Sequence, residues 1–182
     1  AGQRGDMVMA VAGSIEDLMN ESIVRKGSRR DMVASDVGMA VRQGASAPDI
    51  STKDALVATL LATPSIVYSK QGASGMYFAS LLKRLGIEEQ VRAKATILPE
   101  GLTGELVANG QAVLAVQQMS ELMQVAGIHI FAKLPAEVQQ STIFSLGVFD
   151  GSTEEQTSDA LAAYMRQPSV IEVLRSQGLD PL

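Results

Sequence analysis

Short apolar runs alternate along most of the chain with stretches whose apolar residues recur every three or four positions. Runs of the first kind, such as residues 6–12, are typical of buried strands, and the recurring spacing is typical of helices packed on one face. Strand-like and helix-like segments follow one another from end to end. The pattern therefore predicts an α/β fold with mostly parallel sheets flanked by helices.

Ordinary cap and stop residues bound the predicted elements. Ser14 is expected to cap the first helix, Ser51 or Thr52 the second, and Pro168 to divide the last helical stretch in two. Strands are predicted at residues 6–12, 36–44, 65–70, 93–99, 112–119, 129–135 and 141–149, and helices at 13–24, 53–63, 73–87, 100–111 and 153–179.

The composition allows a sizeable core and narrows the range of partners. The chain has 182 residues, 46% of them hydrophobic, and its net charge is −5. This acidity argues against a nucleic-acid partner, because neutralising phosphates requires a clustered Lys/Arg face. The absence of cysteine excludes disulfides and thiolate metal sites, and it fits either the cytoplasm or a bacterial periplasm. No segment approaches the roughly 18 continuous apolar residues of a membrane helix.

The segment GASG, at residues 72–75, ends a predicted strand and opens a predicted helix. A serine hydrolase would need glycines two residues before and two residues after the nucleophile, and here Gly75 stands one residue too early. The single histidine, His129, has no orienting carboxylate beside it. Phosphate-loop and dinucleotide-binding patterns are absent, and paired carboxylates at predicted helix starts complement the helix dipole. The sequence therefore predicts a binding protein rather than an enzyme, with no cofactor and no metal.

The GASG segment is instead suited to an uncharged anion site. The first N–H groups of a helix lack partners within the helix, and glycines let a ligand approach the backbone closely. Ser74 then donates its hydroxyl to the anion, or it merely caps its own helix, and the sequence leaves both interpretations open. A similar turn occurs at residues 101–103, and Gln117 and Gln118 end a further strand. Alternation along that strand lets at most one of the two glutamines face a given cleft.

The order of these segments resembles that of a known family. GASGMYFASLLKRLGI, LPEGLTGELVANGQAVLAVQQMSEL and STIFSLGVF follow one another here. They are similar in this order to segments of the periplasmic molybdate-binding proteins and, more broadly, of the type II solute-binding proteins of ABC transporters. The resemblance implies two α/β lobes with a ligand cleft between them. It also implies a periplasmic location and delivery of a small anion to the membrane subunits of a transporter.

The resemblance carries over to individual positions. The family's oxyanion contacts at the start of the corresponding helix map onto Ser74 and Gly75, with Tyr77 following. The family's contact in the next strand-to-helix turn maps onto Leu102, and a family tyrosine maps onto Gln118. With the hydroxyls that flank these positions, the candidate ligand-binding residues are Ser74, Gly75, Gln118, Thr103, Leu102, Ser69 and Tyr77.

This chain departs from the family pattern at one of those positions. Glutamine replaces the tyrosine at Gln118, and a nearby serine replaces an alanine. A more polar pocket follows, so a small di- or tricarboxylate is a candidate ligand beside molybdate or sulfate.

The resemblance also sets expectations for the lobes. Lobe 1 is expected to combine residues 1–44 and 126–182, and lobe 2 to span residues 45–125. Measured against the family, the resemblance implies a further strand-helix segment of about forty residues before Ala1, so we expect this chain to be either a fragment or processed form or a shortened homologue. The resulting open sheet edge predicts a homodimer or weak binding.

A second class of function stays open at this point. The same fold also serves as a cytoplasmic ligand-sensing domain of a regulator. A preceding DNA-binding helix pair, as opposed to a signal peptide, would separate this alternative from uptake.

Overall fold

The computed structural model describes residues 5–182; the four residues before Gly5, where the predicted first lobe begins, lie outside the described part. The chain forms two compact units. Unit 1 combines the chain up to Ser35 with Thr142–Leu182, and unit 2 is Asp36–Ser141. The sequence placed the two crossings between units at residues 44/45 and 125/126. The structure places them at residues 35/36 and 141/142. The difference arises because the strands at residues 37–42 and 128–133 pair within the sheet of unit 2.

The elements alternate between strand and helix, as the hydrophobic pattern predicts. In chain order they are β1 (Met7–Val11), α1 (Ala12–Asn20), β2 (Arg30–Ser35), β3 (Val37–Arg42), α2 (Lys53–Ala62), β4 (Ile66–Ser69), α3 (Ala73–Arg84), α4 (Glu88–Arg92), β5 (Ala95–Leu98), α5 (Thr103–Ala108), β6 (Leu114–Gln118), α6 (Met119–Leu122), β7 (Ile128–Lys133), β8 (Thr142–Val148), α7 (Glu155–Met165), α8 (Pro168–Ser176) and β9 (Asp180–Pro181). Within residues 5–182, no helix has both the length and the apolar character needed to cross a membrane.

Unit 1 is built on a sheet of four strands in the order β1-β8-β2-β9, with every neighbouring pair antiparallel. Apolar side chains of β2 and β8 pack with Ala162 of α7 in a small core. Ile15 of α1 and Val24 lie against Gly147 of β8, where an added Cβ would stand 2.8 Å from Val24 Cγ1. A glycine is therefore needed at this point of β8 for the two side chains to reach the strand.

Unit 2 is built on a sheet of five strands in the order β5-β4-β6-β3-β7. β4 is parallel to both β5 and β6, whereas β3 is antiparallel to both β6 and β7. The predicted α/β class is confirmed, but the sheets are not mostly parallel. The described strands of unit 1 pair only in antiparallel fashion, and in unit 2 β3 runs against the other four strands. The larger core lies here, where Tyr68 meets Phe78 edge to face with ring centroids 5.3 Å apart.

The predicted caps fit local geometry in two places and fail in one. Thr52 accepts a hydrogen bond from the N–H of Ala55 and caps α2, and Pro168 is the first residue of α8. The prediction that Ser14 caps the first helix is wrong. α1 begins two residues earlier, at Ala12, and Val11 precedes it without a side-chain cap. Because α1 follows β1 directly, no turn residue separates the two elements.

One carboxylate joins the two segments through which the chain enters and leaves unit 2. Lys133 Nζ donates to Asp36 Oδ2 at 2.8 Å, and the hydroxyl of Ser141 donates to the other carboxylate oxygen. Burial by itself would raise the pKa of Asp36, but the hydrogen bonds from Lys133 and Ser141 outweigh it and hold the pKa below its ordinary value of 3.8. The charged form of Asp36 therefore stabilises unit 2.

Asp36→Asn tests this stabilisation. Because the pKa of Asp36 is lower in the folded than in the unfolded chain, its contribution is present above pH 3.8 and is lost as the pH falls through its folded value. Urea unfolding at pH 7 and at pH 3 should show the variant less stable than the parent at pH 7, with a smaller difference at pH 3. The exposed Asp17→Asn is the control. An equal difference at both pH values would contradict the assignment.

Candidate functional site

Three strand-to-helix turns of unit 2 lie at the same edge of its sheet. β4 ends at Ser69, β5 at Leu98 and β6 at Gln118, and β4 is parallel to both neighbours with Ser69 paired to Leu98. The carboxyl ends of the three strands therefore meet at one edge, followed by the starts of α3, α5 and α6. Ligands of open α/β sheets bind at such an edge.

The first turn of α3 lies unusually close to the end of β4. A Cβ added at Gly75 would stand 1.8 Å from the backbone oxygen of Ser69 and 2.4 Å from its Oγ, and one added at Gly72 would stand 2.7 Å from the same Oγ. No side chain fits at Gly75 without moving the backbone. The two glycines of the GASG segment thus let a helix start pack directly on a strand end, with Ser69 between them.

Two buried serine hydroxyls at this contact lack partners. Ser74 is 1% exposed and Ser69 is 7% exposed. Neither Oγ atom has a hydrogen-bond partner among the residues that the structure describes. Buried hydroxyls are nearly always hydrogen-bonded, and an unsatisfied one costs roughly 1–3 kcal/mol. A pair of such hydroxyls beside a helix start is the arrangement expected of a site that holds a polar ligand.

The alternative in which Ser74 caps its own helix is wrong. Gly72 precedes α3 in extended conformation, no side chain caps the helix, and Ser74 is already its second residue. The hydroxyl of Ser74 is therefore not used by the helix that carries it.

Among the helices of unit 2, α3 is distinguished by its uncovered start. Thr52 caps α2 while Glu137 accepts from the N–H of Lys53 at 3.3 Å, and α4 begins with two glutamates. In α6 the carboxylate of Glu121 accepts from the N–H of Gln118. The first turn of α3 contains no acidic residue, and no side chain among the described residues caps it. Its N–H groups are left for an external acceptor.

The turn at residues 101–103 is closed by a side chain instead. The N–H and the hydroxyl of Thr103 both donate to Gln117 Oε1, at 2.7 and 2.8 Å, and Gln117 Nε2 donates to the carbonyl of Gly101 at 3.2 Å. Thr103 is fully buried and Gln117 is 1% exposed. The predicted ligand-binding role of Thr103 stays a prediction, and its hydroxyl already has a partner.

Gln118 lies at the carboxyl end of β6 and is buried, next to Glu121. Burial raises the pKa of Glu121, while hydrogen bonds from the Gln118 backbone and the Gln117 side chain oppose that rise. A half-buried carboxylate is thus held at the same edge as Ser69. Glu121 was missed from the sequence, although its place three residues after a strand end is the position from which an acidic side chain reaches back to a helix start.

Tyr77 and Leu102 are placed differently. The hydroxyl of Tyr77 donates to the carbonyl of Val138, and Arg84 both donates to that hydroxyl at 3.0 Å and lies over the ring. Tyr77 thereby lines a separate cleft of about 520 Å³ within unit 2. Leu102 precedes α5 and is half-buried. Of the predicted residues, the structure brings together Ser69, Ser74 and Gly75, and it places Thr103 and Gln118 at the same sheet edge.

Three comparisons bear on this geometry. A family model described as bacterial extracellular solute-binding protein matches residues 1–180. A protein of Pseudomonas sp. named aconitate isomerase is 36% identical over 178 residues, covering 97% of this chain and 68% of the relative.

Solved structures agree on the fold. The substrate-binding domain of a putative molybdenum ABC transporter from Clostridium difficile has a TM-score of 0.77 at 14% identity, over 100% of this chain and 79% of that one. The periplasmic molybdate-binding protein of Azotobacter vinelandii has a TM-score of 0.73 at 17% identity, over 98% and 79%. The fold expected from the ordered segments is thus confirmed.

Gly75→Ala tests the close approach of α3 to β4. The added methyl would clash with the backbone oxygen of Ser69, so we expect a loss of about 1–3 kcal/mol or more in unfolding free energy. Gly13→Ala is the matched control, since a Cβ there meets nothing within 4 Å and should be neutral or raise stability by about 0.5–1 kcal/mol. Chemical unfolding of both variants measures the difference. Equal stabilities would show that the contact is not tight.

Proposed function

Because the chain belongs to the family of bacterial extracellular solute-binding proteins, we propose that it binds a small organic anion through a carboxylate held at the first turn of α3. The observation that carries the proposal is the pair of buried, unpartnered hydroxyls of Ser69 and Ser74 beside an uncapped helix start. A carboxylate has acceptor sites for both hydroxyls and for backbone N–H groups. Charge-assisted hydrogen bonds of this kind are about twice as strong as neutral ones.

The donors of this cradle are all uncharged. A neutral cradle holds an anion through oriented dipoles, so no buried cation is left unpaired when the site is empty. Gln118, at the neighbouring strand end, supplies an amide suited to a second polar group of the same ligand. This combination favours a ligand with more than one oxygen-bearing group.

The choice of a carboxylate over an inorganic oxyanion rests on the relative named aconitate isomerase. At 36% identity it is far more similar in sequence than the molybdate-type structures, which are at most 17% identical. Aconitate is a small tricarboxylate. Glutamine in place of the family tyrosine at position 118 agrees with a more polar pocket than an oxyanion needs. We therefore place di- and tricarboxylates first and molybdate or sulfate second.

The biological setting follows from the same proposal. A periplasmic protein that captures such an anion delivers it to the membrane subunits of an ABC transporter. A homodimer, or weak binding, is the accompanying prediction for the chain.

A thermal-shift series tests the ligand class. At about 100 times the Kd, a ligand that binds the folded state adds about 2.7 kcal/mol, which raises the Tm of a chain of this size by about 5 °C or more. We expect citrate, cis-aconitate or succinate to produce this shift, and sulfate and molybdate to produce less. A shift with the inorganic anions alone would overturn the carboxylate assignment. No shift with any of the five would overturn the binding proposal.

Ser74→Ala sharpens the test, because its two expected effects have opposite directions. Removing an unpartnered buried hydroxyl should leave the Tm of the ligand-free protein unchanged or raised. Losing a donor to a charged ligand should weaken carboxylate binding about tenfold or more. Ser80→Ala, an exposed serine of the same helix, is the matched control and should change neither quantity. Unaltered binding by Ser74→Ala would contradict its role as a donor.

A second candidate function is the isomerisation of an unsaturated tricarboxylate, which the relative's name favours. Such an isomerisation requires a base that removes a proton from the methylene carbon and returns it at the vinylic carbon as the double bond shifts. Glu121, half-buried with its pKa raised by burial, is the carboxylate at this sheet edge suited to that exchange.

Incubation of the protein with cis-aconitate in D₂O, followed by proton NMR, tests the second candidate. Isomerisation should appear as formation of the trans form with deuterium incorporated into the product. Glu121→Gln, which keeps an acceptor for the N–H of Gln118, should abolish turnover and retain binding. An unchanged spectrum with a ligand that demonstrably binds would leave binding alone as the function.

A further inference from the structure

Gln117 lies at the middle of the sheet edge where β4, β5 and β6 end, and the proposed function gives it no role in ligand binding. It lies on β6, the central strand of the five-stranded sheet, and is 1% exposed. Its amide oxygen accepts from both the N–H and the hydroxyl of Thr103, and its amide nitrogen donates to the carbonyl of Gly101. Three hydrogen bonds of one side chain therefore hold the end of the turn before α5, at Gly101 and Thr103.

The orientation of this amide is uniquely determined. Its oxygen faces an N–H, which can only donate, and its nitrogen faces a carbonyl, which can only accept. Turning the amide over would oppose donor to donor and acceptor to acceptor. The turn itself depends on Gly101, whose φ of +96° is a conformation that glycine adopts without strain. The hydrogen bonds of Gln117 thus hold the turn at residues 101–103 in one conformation, which the flexible backbone of Gly101 would not fix by itself.

The same strand end borders the neighbouring turn. Gln118, the next residue of β6, donates its N–H to the carboxylate of Glu121 at 3.4 Å. The Gln117 amide lowers the pKa of that carboxylate, against the rise that burial causes. An apolar residue at position 117 would fill the same space on the strand but would leave the turn at residues 101–103 without its three side-chain hydrogen bonds.

We propose that Gln117 is a positioning residue: it fixes the turn at residues 101–103 in the geometry that the bound anion requires, without contacting the anion. The inference rests on the proposed function of the same sheet edge. It assigns the hydroxyl of Thr103 to Gln117 rather than to the ligand. Ser74 and Ser69 then remain the direct hydroxyl donors, and Thr103 contributes through the shape of the turn.

Gln117→Met removes the amide at similar volume. With citrate or cis-aconitate as the probe, measured by calorimetry below the Tm of every variant, we expect about tenfold weaker binding. In amide hydrogen exchange, the N–H of Thr103 should exchange at least about tenfold faster in the variant. The exposed Gln90→Met is the matched control and should change neither result. A lowered Tm with unchanged affinity would show that Gln117 is merely structural and would overturn the proposal.

Thr103→Val provides a second test that does not depend on how well Gln117→Met folds. The valine keeps the backbone N–H bond to Gln117 and loses the hydroxyl bond, so we expect a smaller loss of about threefold in affinity. In the double variant the valine should add nothing to the effect of Gln117→Met, because both act through one contact. An additive loss would mean that Thr103 touches the ligand directly and would overturn the assignment.

The failures of the two proposals are distinguishable. If the parent chain binds none of the carboxylates or inorganic anions, the proposed function and this inference both fall. If the parent binds and Gln117→Met binds equally well, the inference alone falls.

Discussion

The contact between Ser69 and the first turn of α3 is the constraint on which the candidate site at the ends of β4, β5 and β6 depends. Gly75 approaches the backbone of Ser69 so closely that no side chain fits between them. This approach buries the hydroxyls of Ser69 and Ser74 at a point where the helix has no cap. The hydroxyls and the free N–H groups come together because a strand end and a helix start are packed without side chains in between.

The other helix starts of unit 2 show how hydrogen bonds are distributed around the start of α3. α2 and α6 take acceptors from Thr52, Glu137 and Glu121, and the turn before α5 is closed by Gln117. Internal acceptors at these places leave little capacity for a ligand, and they hold the backbone rigid. The start of α3 is left open among well-satisfied neighbours. One helix start without internal acceptors, among neighbours that have them, is a stronger indication of a ligand site than a helix terminus by itself.

Membership of the extracellular solute-binding family and resemblance to an enzyme are compatible on physical grounds. A site that binds an unsaturated tricarboxylate needs oriented neutral donors and a shape that excludes water. Isomerisation adds one requirement, a carboxylate whose proton affinity suits exchange with carbon. The difference between a carrier and an isomerase can therefore rest on one group, such as Glu121. A fold does not by itself decide between them.

A good part of the fold follows from local rules. The alternation of strand and helix, the cap at Thr52 and the division at Pro168 were predicted from spacing and turn chemistry, which act over a few residues. The ordered segments resembled solute-binding proteins, and the family match over residues 1–180 confirms it. The unit boundaries differed because β3 and β7 look like any strand locally, and their sheet is decided by pairing with distant residues.

The site divides in the same way between sequence and tertiary structure. The sequence by itself determined that GASG opens a helix after a strand, because glycines and a strand end are readable locally. Tertiary structure decided that Ser74 does not cap its helix, that the hydroxyl of Thr103 donates to Gln117, and that the hydroxyl of Tyr77 donates to the carbonyl of Val138. Whether a hydroxyl is free depends on which acceptors the folded chain brings within 3.5 Å, and those acceptors lie 14 and 61 residues away for Thr103 and Tyr77. No local pattern contains that information.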